Sequence, residues 1–110
     1  MKKLGVTKEI EKISEGNEAA IKEITEIIIR QTSKKLALID LYLKNNNWEG
    51  LKDVAHFFKS NFLALNLSQF SKLVETLNTE AGLDVETTKK QAQELAAICR
   101  QIINELTYKP

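Results

Sequence analysis

The chain contains one histidine, His56, and one cysteine, Cys99, so its choices for side-chain chemistry near neutral pH are few. A neutral imidazole has an unperturbed pKa of about 6.5, is largely deprotonated at neutral pH and can act as a nucleophile. Its position on a helix decides whether it is free to do so. With about 100° between successive residues, Leu51, Val54, Ala55, Phe58, Phe62 and Leu65 fall within one sector of roughly 100°, the core face of a helix. His56 lies about 150° from the centre of that sector, with Glu49, Lys52, Lys59 and Ser60 around it. Lys59 follows at i+3 on the same face, within reach of a group carried by the imidazole. No second histidine is available for a metal site, and no serine or cysteine is placed to use His56 as a base. Cys99, among Leu95, Ala96, Ile98 and Ile102, reads as a buried free thiol.

The elements that would position these residues are helices. Only four glycines and one proline interrupt the 110 residues, and no span shows sustained period-2 alternation. A short helix is expected from Thr7 to Ser14, with Thr7 as N-cap and Ile10 and Ile13 on its buried side. Glu15-Gly16-Asn17 ends it, with Gly16 as the C′ residue. A long amphipathic stretch runs from Glu18 to about Lys44, presenting Ile21, Ile24, Ile28, Ile39 and Leu43; Thr32-Ser33 is a candidate bend or break. Asn45-Asn46-Asn47 is a tight turn into a third helix from Trp48 to about Leu65, closed by Asn66 in the left-handed region. Ser68 is expected to cap a fourth helix to about Asn78, and Ala81-Gly82 to turn the chain. Asp84 caps a last helix ending near Thr107. The expected architecture is all-α: an antiparallel up-down four-helix bundle, a single domain over residues 1–110, with the short first helix covering one end.

Composition narrows the function classes. The 43% apolar and 28% charged content is that of a soluble globular protein, and 16 basic against 15 acidic residues leave no electrostatic footprint for nucleic acid. No unbroken apolar run approaches the roughly 20 residues that span a bilayer, and no signal peptide is evident. The expectation is a cytoplasmic protein without membrane insertion.

The segment Ala55-His56-Phe57-Phe58-Lys59-Ser60-Asn61 resembles the signature of histidine-containing phosphotransfer domains: alanine, histidine, two spacers, lysine and a small residue. Upstream, Ile10–Asn17 is similar to the entry helix and glycine turn of that family, and Asn46-Asn47-Trp48-Glu49-Gly50-Leu51 to its polar turn, tryptophan and leucine. Downstream, Leu67, Phe70, Leu73 and Leu77-Asn78 keep the spacing of the following helix. The resemblance covers roughly Ile10 to Gly82; beyond it the last helix matches only in being long and amphipathic.

The resemblance implies that His56 accepts a phosphoryl group through Nε2 and that Lys59 stabilises it. Asn78 falls where the family has glutamine or glutamate to orient the imidazole; its other candidate role is helix C-capping. Ser60 stands near the phosphoryl group where the family has glycine, and Asn66 replaces another usual glycine. Lys52, Lys59, Ser60 and Leu63, the last an apolar residue on the His56 face, are the expected docking residues. The implied partners are receiver domains of response regulators and a hybrid sensor kinase, met by a monomer. No cofactor and no metal site are implied, any divalent ion coming with the receiver. With no glycine-rich phosphate loop, the chain is expected to carry phosphoryl groups without kinase activity of its own. Two alternatives stay open: an interaction module of the same fold without phosphotransfer, and a structural bundle with an incidental surface histidine.

Overall fold

The computed structural model describes residues 3–107, in which five α-helices and one 3₁₀ turn occur: α1 (Val6–Ile13), α2 (Glu18–Lys44), α3 (Trp48–Ala64), the turn Ser68–Phe70, α4 (Ser71–Glu80) and α5 (Val85–Thr107). Helices α2 to α5 form an antiparallel up-down bundle in which each packs on the next and α5 returns to α2. The described residues form an elongated body of 44 × 24 × 21 Å. At a rise of about 1.5 Å per residue, α2 and α5, of 27 and 23 residues, outrun α3 and α4, of 17 and 10, and α1 packs against both long helices. The all-α bundle with a covering first helix is as the patterning indicated.

Three helices end by the same device. Glu15, Asn46 and Asn66 adopt φ of 52°, 51° and 58°, and the chain after each returns its N–H to the last turn. Gly16 N donates to Glu11 O, Asn47 N to Tyr42 O, and Leu67 N to Phe62 O, at 3.0, 2.8 and 2.7 Å. These are Schellman closures. The first corrects the expected one: Glu15 is the C′ residue of α1, and Gly16, at φ 77°, follows it. The next helices start on side-chain caps where predicted, with Asn47 Oδ1 accepting from Gly50 N at 2.9 Å and Asp84 Oδ1 from Thr87 N at 3.0 Å. Asn17 Oδ1 does the same for α2, accepting from Ala20 N.

Four further expectations are corrected. Thr7 is not the N-cap of α1; Gly5 holds that place, and Glu105 of α5 supplies the acceptors. Its Oε2 takes the N–H of Leu4 at 2.8 Å, and its Oε1 those of Gly5 and Val6 at 2.9 Å each. The buried side of α1 is accordingly Val6 and Ile10, while Ile13 is half exposed. Ser68 makes no capping bond: Leu67 is fully buried as it leaves α3, and the chain re-enters helix at once through a tight 3₁₀ turn with Phe70 N on Leu67 O at 3.1 Å. Thr32-Ser33 does not split α2, which is continuous over 27 residues, with Thr32 turned into the interior.

The core follows the wheel. Leu51, Val54, Ala55, Phe58, Phe62 and Leu65 of α3 are all buried, joined by Ile39, Val74, Leu77, Leu95, Cys99 and Ile102 from the other helices. Two glycines permit close approach. A Cβ on Gly50 would stand 2.7 Å from the Tyr42 ring, and one on Gly82 would stand 2.7 Å from Trp48. Gly82 also has φ 93°, so an L side chain there would be strained as well as crowded. Trp48 thereby locks the start of α3 to the α4–α5 turn.

Candidate functional site

His56 sits in mid-α3 with its side chain exposed, opposite the buried Leu51, Phe58 and Phe62. The neighbouring helices flank it. On one side, Asn78 of α4 donates from Nδ2 to the main-chain carbonyl of Lys52 at 3.1 Å. On the other, Phe57 is half-buried toward α2, edge-on to Phe58 with ring centroids 5.1 Å apart. Phe58 continues through Phe62 to Phe70, at centroid separations of 5.1 and 5.9 Å. A row of packed aromatic rings therefore backs the His56 face, in the edge and tilted contacts that aromatic pairs favour.

The charges around His56 differ in how they are held. Lys52 is paired with Glu49 at 3.3 Å one turn back along the helix. Lys59 is exposed and makes no ion pair among the described residues. Its ammonium is an unneutralised positive charge on the same face as His56, one turn on, as the Asp53 carboxylate is an unneutralised negative one a turn back. Ser60 is exposed and turns its hydroxyl back to the Phe57 carbonyl at 3.5 Å, a long contact; Asn61 Nδ2 donates to the same carbonyl at 2.8 Å. Leu63 is 62% exposed, an apolar side chain on an otherwise polar face.

Asn78 is the residue whose surroundings differ most from the sequence reading. It lies inside α4, which continues to Glu80, so it is not a C-cap. The hydrogen bond it makes goes to the backbone of α3, one turn before His56. That bond fixes α4 against the turn bearing His56 and so positions the helix.

Two features at this face escaped sequence reasoning. Phe57 is a half-buried partner of α2, and the Lys35 ammonium of α2 lies over its ring, 4.6 Å from the centroid. The signal for the pairing was available in the length of the turn. Residues equally far before and after Asn45–Asn47 must meet when two helices reverse there.

Among the described residues no group of three or more His, Cys, Asp or Glu side chains is arranged to hold a metal ion. No described helix is long and apolar enough to cross a membrane. Cys99 is buried against α2, and burial pushes its thiol from its ordinary value of 9.0 to about 12; Arg100 nearby works in the opposite sense. It is an inert core thiol.

Neither a known family profile nor a solved structure matches the chain. Among curated proteins it is similar to the phosphorelay intermediate protein YPD1 of Candida albicans, with 33% identity over 72 residues, 66% of this chain. The chain spans about two fifths of that relative's length, 39% of which is matched. A stretch of two thirds of this chain thus shares a third of its residues with a protein named as a phosphorelay intermediate, a modest likeness that suggests a phosphotransfer-like family.

Proposed function

We propose that this chain is a histidine-containing phosphotransfer domain: His56 accepts a phosphoryl group from an aspartyl phosphate on one receiver domain and passes it to an aspartate on another. The observation that carries the reading is the exposed His56 in mid-helix with Lys59 unpaired one turn away. The similarity to a phosphorelay intermediate supports it independently.

Phosphoryl transfer proceeds through a loose, charge-dispersed transition state, so placed positive charge is the main help a protein offers. When the group arrives, the Nε2 lone pair of neutral His56 forms the N–P bond as the P–O bond to the donor aspartate breaks. The electron pair of that P–O bond leaves on the carboxylate. When the group is passed on, the N–P bond breaks with its electron pair returning to Nε2 as the acceptor aspartate forms a new P–O bond. Lys59 meets the charge on the phosphoryl oxygens, and Asn78 holds α4 against the helix that presents the ring. Lys52, Lys59, Ser60 and Leu63 are the proposed docking surface, in which the exposed leucine supplies apolar contact and the lysines a salt-sensitive rim.

The test is labelling from a phosphorylated receiver domain. Wild type takes acid-labile label, and His56→Gln takes none while melting at the wild-type temperature, because an exposed polar exchange barely affects stability. Label persisting on the variant moves the nucleophile elsewhere. A second reading, an interaction module that binds receivers without accepting phosphate, is favoured by one observation: Ser60 narrows the space beside His56 where the resembled family has glycine. Receiver binding without labelling of wild type would select it.

A further inference from the structure

A second lysine stands at the level of His56, delivered by a different helix. Helices α2 and α3 reverse about Asn45–Asn47, and three pairings give their register: Tyr42 against Gly50, Lys35 over Phe57, and Gln31 with Asn61 on the wall of one small cavity. In each pair one residue lies as far before the turn as its partner lies after it. Lys35 therefore stands beside the turn of α3 that carries His56, with its ammonium 4.6 Å from the ring centroid of the very next residue. Lys35 is half-buried and makes no ion pair among the described residues. On the α3 wheel Phe57 lies about 100° to one side of His56 and Lys59 about 60° to the other. The two lysines thus flank the imidazole from opposite sides.

We infer that Lys35 is a second cation for the phosphoryl group on His56, leaving the Phe57 face for the phosphoryl oxygens when the group arrives. This rests on the phosphocarrier reading and adds to it a residue from α2. A cation–π contact at a partly exposed site is weak beside a charge-assisted hydrogen bond to a phosphoryl oxygen, so the exchange is favourable. The four-carbon stem of lysine gives the ammonium the freedom to make it. While His56 is unphosphorylated, the Phe57 ring holds the charge close by. When the N–P bond forms and the donor carboxylate leaves with its electron pair, Lys35 and Lys59 share the charge of the transferred group.

The experiment compares wild type, Lys35→Met, Lys35→Arg and His56→Gln, each given phosphoramidate as a small donor that needs no docking surface. Methionine keeps an apolar cover over Phe57 and removes only the charge. Lys35→Met should slow phosphorylation of His56 about five- to tenfold, less than loss of a buried oxyanion donor because solvent screens the site. It should also raise the pH at which the bound phosphoryl group titrates by phosphorus NMR, and Lys35→Arg should restore both. Unchanged rate and titration in Lys35→Met overturn the inference, whether or not its melting temperature moves, and leave Lys35 as a cover for the ring. A rate lost equally in Lys35→Arg and Lys35→Met overturns it too, since charge is then not the cause. Failure of the underlying reading looks different: wild type takes no label, or His56→Gln takes as much, and Lys35 loses its role with it.

Discussion

Removing the carboxylate of Glu105 should release α1. Three consecutive backbone N–H groups, of Leu4, Gly5 and Val6, end on its two oxygens at 2.8 to 2.9 Å. Hydrogen bonds to a charged group are worth roughly 1.5–3 kcal/mol each in net stability, and a carboxylate at a helix N-terminus adds a favourable charge–dipole interaction. They do not sum, because once α1 detaches no more can be lost through it, and Glu105 is only half-buried. We expect Glu105→Ala to cost about 2–3 kcal/mol. For a chain of this size the unfolding entropy is about 0.23 kcal/mol per kelvin, which gives a melting shift of roughly 10 °C. Glu105→Gln keeps Oε1 for Gly5 and Val6 and turns an amide donor toward Leu4 N–H, so its cost should be about 1 kcal/mol. Thermal denaturation followed by circular dichroism measures both, and hydrogen exchange locates the loss. The amide of Glu9, bonded to Gly5 O at 3.1 Å, should lose protection before those of α3. A Glu105→Ala protein that melts within about 2 °C of wild type, with α1 still protected, would refute the cap as a stabilising link.

Phe62→Ala should cost about 3–5 kcal/mol, since it removes a fully buried ring packed between Phe58 and Phe70; a near-neutral melting shift would misplace the core face. Leu63→Ala should fold normally and weaken receiver binding by about 1 kcal/mol or more, checked by titration and melting of the same variant; unchanged affinity removes Leu63 from the docking surface. Cys99 gives a pH test. Below pH 9 the thiol is protonated in both states, but between its ordinary 9.0 and its folded value of about 12 the unfolded chain loses a proton that the folded one retains. Stability should therefore fall as pH rises above 9, and more steeply in wild type than in Cys99→Ala. Equal slopes in the two proteins would refute the shift.

The helices, their turns and the exposure of His56 were legible because their signals are local. A wheel needs only the residues of one helix, and Asn47 and Asp84 cap within three residues of themselves. Asn66 closes α3 through bonds confined to a single turn. The core face of α3 was correct in each of its six residues for the same reason. Some of what went astray was local, such as Glu15 in place of Gly16 as the C′ residue of α1, but the start of α1 depended on a partner far along the chain. Thr7 looked like a cap by type, yet the donors of α1 are satisfied by Glu105, some hundred residues away, and that docking turned Val6 inward and left Ile13 in solvent. Ser68 also had the right type, but burial of Leu67 left no room for an extended cap before the chain turned. Asn78 and Lys35 could be placed on their own helices from sequence. That one binds the Lys52 carbonyl and the other the Phe57 ring was decided by how α4 and α2 pack on α3, because side-chain partners across helices depend on register and rotation that no single helix encodes.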